Sequence, residues 1–114
     1  MEKYIPLKPN KEGYTHIEVC TRYVLGDWKW QRGYYLHIAP VERIEFPLGS
    51  GLYGTRYPSL GDKKYWDLYS MRLIKEVSRQ SKKAEAEAEQ LAIKIEKEVV
   101  DYICKEMDLV LSDN

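Results

Sequence analysis

The alternation of apolar and polar residues between Thr15 and Leu25 predicts a β-strand. Most odd-numbered positions in this stretch are apolar and most even-numbered positions are polar, as in a strand with one buried face. The apolar face carries Ile17, Val19, Tyr23 and Leu25, and the polar face carries His16, Glu18 and Arg22.

A Gly-Asp pair at positions 26 and 27 predicts a two-residue turn and hence a hairpin of residues 15–25 and 28–39. This register places Tyr23 opposite Trp30 and gives the large apolar residues of the first strand apolar or aromatic partners. A turn at Gly33 is the alternative, and it would shorten the hairpin and lose this match.

A third short strand is predicted after Pro40, because proline removes a backbone donor and ends the second strand. Ile44 and Phe46 would lie on one side of this third strand. The N-terminal arm, residues 1–13, can add a short edge strand around Ile5.

The chain between Asp62 and Asp108 contains neither Gly nor Pro, and it is predicted to be helical over residues 62–110 with Asp62 as the N-cap. The segment SRQSKKAEAEAE, residues 78–89, has no large apolar residue, so the region forms either one long helix or two. A single helix would extend past the hairpin and leave its second apolar stripe for another copy of the chain, which predicts a homodimer. That stripe includes Leu91, Ile95, Val99 and Tyr102.

These elements predict a single α+β domain over residues 1–114, in which a small antiparallel sheet packs against a long C-terminal helix or helix pair. The predicted order is the arm (1–13), a β region (14–46), a Gly/Tyr-rich loop (47–61) and the helical region (62–110).

Composition and charge favour a folded cytoplasmic protein. Hydrophobic residues make up 44% of the chain and charged residues 32%, which is typical of a globular domain. No apolar run is long enough to span a bilayer, the N-terminus lacks a signal-peptide core, and the two cysteines have no CxxC spacing, so we expect no membrane association and free thiols. The net charge of zero divides into 15 Lys and Arg against 9 Asp and Glu in residues 1–83, and 3 against 9 in residues 84–114.

Motifs for chemistry are weak. GSGLYG, residues 49–54, matches the dinucleotide pattern G-x-G-x-x-G but lacks the strand and helix that such a site requires, so a binding loop is the better interpretation and no cofactor is expected. The predicted register places His16 opposite His37, with Cys20 further along the strand. We expect an ordinary solvated sheet face without a metal ion here, and a zinc site is the alternative. No nucleophile and base are brought together, so we do not expect an enzyme.

The favoured function is a small non-enzymatic module that binds a protein partner. The predicted contact residues are Trp28, Lys29, Arg32, Tyr53, Arg56 and Tyr57. The alternative is a nucleic-acid-binding protein, because basic and aromatic residues alternate in single-strand binders. Its cations would be Arg22, Lys29, Arg32, Arg56, Lys63 and Lys64.

Two segments, RGYYLHIAPVER and SRQSKKAEAEAEQLA, resemble small uncharacterised proteins carried by mobile genetic elements of gut bacteria. The resemblance covers about half of the chain and does not extend over the GSGLYGTRYPSLGDKKYWDLY segment between them. It implies a cytoplasmic accessory protein and supplies no catalytic residues.

Overall fold

The computed structural model describes residues 1–26, 31–57 and 72–112, which form a five-stranded antiparallel sheet and one long helix. The elements are β1 (Glu2–Pro6), β2 (His16–Val24), β3 (Gly33–Glu45), β4 (Tyr53–Arg56), β5 (Arg72–Glu76) and α1 (Lys82–Met107). The predicted α+β class is therefore confirmed, and so is an edge strand in the N-terminal arm.

The central strand of the sheet is β3, which pairs with β2 on one side and with both β5 and β4 on the other. β5 pairs with the first part of β3, from Gly33 to Leu36, and β4 pairs with the last part, from Glu42 to Glu45. The β3–β4 hairpin thus continues beyond the part of β3 that pairs with β2.

One face of the sheet packs against α1, and the core lies between them. The helix approaches closely because three alanines, Ala84, Ala88 and Ala92, face the sheet at four-residue spacing. The main core cluster includes Ile17, Val19, Leu36, Ile38, Ala92, Val100 and Ile103. Consequently the other face of β2 and β3 carries the polar side chains.

The predicted register of the β2–β3 hairpin is wrong. Tyr23 lies opposite Tyr34, which is four residues further along the chain than the predicted partner Trp30. Val24 lies opposite Gly33. The strands are joined by a connection longer than a two-residue turn, of which residues 27–30 fall outside the described residues. Because the shift is an even number of residues, the predicted inner and outer faces are preserved.

The prediction that Pro40 ends the second strand is also wrong, since β3 continues through it to Glu45. Pro40 lies between the segment of β3 that pairs with β5 and the segment that pairs with β4. Proline lacks a backbone N–H group, and it is tolerated at this position because neither β4 nor β5 pairs with β3 there. The predicted third strand is therefore the second half of β3, and Phe46 lies beyond its end.

The predicted helix of residues 62–110 begins only at Lys82 in the structure, and β5 occupies residues that the prediction made helical. Residues 62–71, with the predicted N-cap Asp62, lie outside the described residues. Ser81 caps the helix by accepting a hydrogen bond from the Ala84 N–H, at 3.0 Å. The segment SRQSKKAEAEAE is thus where the chain changes from strand to helix.

Gly33 is expected to be sensitive to substitution because a Cβ atom there would overlap the carbonyl oxygen of Lys75, in a conformation with φ of +155°. We expect Gly33→Ala to lower the free energy of unfolding by about 2 kcal/mol or more, since backbone must move to relieve the overlap. Gly54→Ala, in open space on β4, is the matched control and should change stability little. Urea denaturation measures both, and equal effects would contradict the β3–β5 pairing.

Candidate binding surface

The most exposed apolar surface in the described part of the chain is the tip of the β3–β4 hairpin, residues 46–53. The exposed fractions are 79% for Phe46, 92% for Leu48, 66% for Leu52 and 55% for Tyr53. No charged residue occurs from Phe46 to Thr55. Adjacent exposed apolar side chains of this size mark interaction sites more often than a scattered exposed leucine does.

The hairpin tip is held in one conformation by hydrogen bonds of its own. The Phe46 N–H donates to the Leu52 carbonyl at 2.9 Å, and the Ser50 N–H donates to the Pro47 carbonyl at 3.0 Å. Gly49 and Gly51 adopt positive φ angles of 85° and 78°, which the turn requires and which other residues adopt only at a cost.

Glu45, the last residue of β3, fastens the two sides of the hairpin tip together. One carboxylate oxygen accepts the Gly51 N–H at 3.1 Å, and the other accepts the Tyr53 hydroxyl at 3.1 Å. These hydrogen bonds hold the pKa of Glu45 below its usual range, so the carboxylate stays charged at neutral pH. The tip therefore combines an ordered loop, an apolar surface and one anionic group at its base.

A second cluster, which we call the Glu18 cluster, lies on the sheet face opposite α1 and comprises Glu18, His37 and Tyr57. The Glu18 side chain is almost completely buried. Its Oε1 atom accepts the Tyr57 hydroxyl at 2.9 Å and lies 3.2 Å from His37 Nε2. Burial first, and then the hydrogen bond to Glu18, raises the pKa of Tyr57 to about 12, so its hydroxyl remains a donor.

Small and aromatic residues close over the buried carboxylate. Ala39 lies opposite Glu18 on β3, and the rings of Tyr4 and Tyr57 pack on Ala39 and Val41. A residue as small as alanine leaves room for these rings beside the carboxylate. The Glu18 carboxylate is thus covered by contacts within the chain, whereas His37 Nδ1 is buried without a hydrogen-bond partner among the described residues.

Arg43 joins the hairpin to the rest of the sheet. Its guanidinium carbon lies 3.7 Å from the centre of the Tyr4 ring on β1 and 5.0 Å from that of the Tyr53 ring on β4. Its backbone N–H donates to the Thr15 hydroxyl at 2.8 Å. Together with Tyr57, which reaches Glu18, Arg43 anchors β4 to the strands that carry the core.

The predicted contact residues that the structure describes do not form one surface. Trp28 and Lys29 lie outside the described residues, and Arg32 is half-buried, with Nε 3.5 Å from the Gly26 carbonyl. Tyr53 is exposed at the hairpin tip, and Arg56 pairs with Glu42 at 3.3 Å. Tyr57 belongs to the Glu18 cluster.

The residues predicted for self-association lie on α1, where Ile95 and Val99 pack against the core of their own chain. Leu91 is half-buried and Tyr102 is 54% exposed. The stripe is therefore largely within reach of the sheet, contrary to the argument that predicted it to be free. Homodimer formation stays a prediction, with less to support it.

The predicted pairing of His16 with His37 is wrong, because His37 lies opposite Cys20 and His16 lies opposite Val41. Among the described residues no group of three or more His, Cys, Asp or Glu side chains is arranged to hold a metal ion. The Cys20 thiol instead accepts the Arg22 Nε–H at 3.1 Å. Cys20 and Cys104 are both free thiols.

Sequence reasoning missed Phe46, Leu48 and Leu52 as surface residues and missed the Glu18 cluster. The uncharged run FPLGSGLYGT indicates an apolar loop, but the pattern around Ile44 predicts that Phe46 belongs to a strand. The cluster depends on the β2–β3 register and on Tyr57 returning from β4, and neither is visible in local patterns.

Comparisons with protein-family models, with curated proteins and with solved structures give no match. Within the described ranges, α1 included, no helix has the length and apolar character needed to cross a membrane.

Removing the Glu18 carboxylate is expected to destabilise the protein. Glu18→Ala would leave the Tyr57 hydroxyl and the His37 ring without their buried acceptor, at a cost of about 2 kcal/mol or more in the free energy of unfolding. Glu18→Gln retains an acceptor and should cost less. Urea denaturation tests this order, with Glu98→Ala on the exposed face of α1 as the control. If Glu18→Ala is as mild as Glu98→Ala, the cluster does not hold the sheet together.

Stability is expected to fall as the pH is lowered from 8 to 5. Burial lowers the pKa of His37, although the Glu18 carboxylate acts in the opposite direction, and burial with the charge of Arg43 lowers the pKa of His16. The unfolded chain then takes up protons first, near the ordinary histidine pKa of about 6.5, so stability is complete above that pH and is lost as the pH falls below it. His37→Asn should reduce the slope of unfolding free energy against pH in this window; an unchanged slope would contradict the buried position of His37.

Proposed function

We propose that this protein is a non-enzymatic module that binds a protein partner through the tip of its β3–β4 hairpin. The single observation that supports this most is the exposure of Phe46, Leu48 and Leu52, at 79%, 92% and 66%, on one ordered loop. Proteins rarely leave such side chains together in water unless a partner covers them. We also propose a cytoplasmic location, in keeping with the free thiols of Cys20 and Cys104.

The energetics of such a contact are favourable. Burying a leucine or phenylalanine side chain completely is worth about 1.5–3 kcal/mol, so Phe46 and Leu48 alone can serve as the central anchors of an interface. The hydrogen bonds between Phe46 and Leu52 and between Glu45 and Gly51 order the loop before it meets a partner. Less conformational entropy is then lost on binding.

The shape of the surface favours a partner with a concave site. The hairpin continues beyond the part of β3 that pairs with β2, and the apolar side chains of its tip are more than half exposed. A projecting apolar loop complements an apolar groove, as an anchor side chain complements its pocket.

Nucleic-acid binding remains the second candidate, favoured by the separation of charge in the fold. The acidic helix α1 packs on the opposite side of the sheet from Arg22 and Arg43, so it does not face these cations. However, Arg56 is paired with Glu42, and Arg43 stacks between two tyrosine rings. Cations already engaged in this way have less to offer a phosphate backbone, which is why we prefer the protein partner.

The experiment compares the wild-type chain with the double variant Phe46→Ser/Leu48→Ser as bait in an extract of the source organism, followed by quantitative mass spectrometry. A specific partner should be depleted about tenfold or more with the variant, since each lost anchor is worth at least about 1.4 kcal/mol. Ile93→Ser is the matched control, because Ile93 is 53% exposed on α1, away from the hairpin. Thermal unfolding should show all three proteins folded.

Retention of the same proteins by the double variant would contradict the proposal. Titration with single-stranded oligonucleotides at several salt concentrations tests the nucleic-acid candidate. Binding that weakens with salt at a log–log slope of about −0.7 per contacted phosphate, and that is indifferent to the double variant, would establish the second candidate instead.

A further inference from the structure

The hairpin tip itself is uncharged, and the carboxylate of Glu45 lies at its base. In the stretch from Glu45 to Thr55, Glu45 is the only charged residue. Each of its carboxylate oxygens accepts one hydrogen bond from the loop, from Gly51 and Tyr53. A carboxylate offers about four acceptor positions, so Glu45 can order the loop and still accept hydrogen bonds from outside.

The neighbouring charges of the hairpin are engaged by an ion pair or by an aromatic ring, whereas Glu45 has only hydrogen bonds among the described residues. Glu42 pairs with Arg56 at 3.3 Å, and the guanidinium group of Arg43 lies against the Tyr4 ring at 3.7 Å. Among the ion pairs of the described residues, none involves Glu45. Within the described residues, the base of the tip therefore presents a negative charge without an ion-pair partner, beside an apolar surface.

We infer that the partner receives the hairpin tip in an apolar pocket whose rim carries a lysine or arginine side chain facing Glu45. The inference rests on the proposed function, and it adds the chemistry of the partner's surface. When Leu48 and Phe46 enter a pocket, Glu45 comes to the rim and loses part of its water. A cation on the partner offsets that loss and fixes the orientation of docking.

The same charge argues against an anionic partner. A membrane rich in acidic phospholipids, or a phosphate backbone, would place negative charge against the Glu45 carboxylate. The hairpin offers no unengaged cation in compensation, because Arg43 and Arg56 are both occupied. Like charges at an interface are unfavourable and select against such partners.

The test uses the full chain with p-benzoylphenylalanine at position 48, irradiated in an extract of the source organism at low and at high salt. A cross-link specific to position 48, absent when the photoreactive residue stands at position 93, reports the docking of the tip. We expect E45Q to lower the rate of cross-linking at low salt about two- to fivefold, the range for an exposed ion pair, and to remove most of the salt dependence. E98Q on α1 should change neither quantity.

The outcomes separate the two proposals. A position-48 cross-link that neither salt nor E45Q alters overturns the inference and leaves the proposed function standing, whereas no cross-link specific to position 48 overturns both. The chain could instead sediment with phosphatidylcholine–phosphatidylglycerol vesicles and lose this binding in Leu48→Ser. That result would show that the tip binds a membrane, and it would overturn the inference of a pocket on a protein partner. Faster hydrogen exchange of the Gly51 amide in E45Q would show that this substitution disturbs the loop. In that case the test is the salt dependence of cross-linking with Glu45 in place, and a cross-linking rate that does not change with salt overturns the inference.

Discussion

The pairing of β3 on both of its sides is the constraint on which the rest of this structure depends. Along β2 it fixes which side chains face α1, and along β5 it requires a residue without a side chain at Gly33. Beyond Pro40 the same strand continues into the hairpin with β4. One strand therefore carries the core, closes the sheet and supports the exposed apolar tip, so a change in its register would alter all three.

The Glu18 cluster gives that register a physical reason. In the observed pairing Glu18 lies opposite Ala39, which leaves space for the Tyr57 ring to cover the carboxylate and donate to it. In the register predicted from the turn signal, Glu18 would face Tyr35 and lose that space. A buried carboxylate is costly unless it is fully hydrogen-bonded, and this cost penalises the alternative pairing although both registers keep the apolar face inward.

The sequence predicted what depends on local periodicity and missed what depends on distant partners. Alternation in β2 identified the strand and both of its faces, and the fold class follows from that strand and the C-terminal apolar spacing. The absence of Gly and Pro between Asp62 and Asp108 predicts helix for the residues of β5, whereas their pairing with β3 makes them a strand. The loop was recognised as a binding segment, but the exposure of Leu48 depends on how far β3 extends past Pro40.

The function proposed here follows from the same strand, because the projection of the apolar tip and its anchoring through Arg43 both require the observed pairing. Nuclear Overhauser spectroscopy on the tyrosine and tryptophan rings tests that pairing most directly. The rings of Tyr23 and Tyr34 lie in edge contact with centres 5.4 Å apart, so the structure predicts strong contacts between their ring protons. Contacts of Tyr23 with Trp30 instead would establish the register of the two-residue turn and contradict the structural account of both the Glu18 cluster and the hairpin tip.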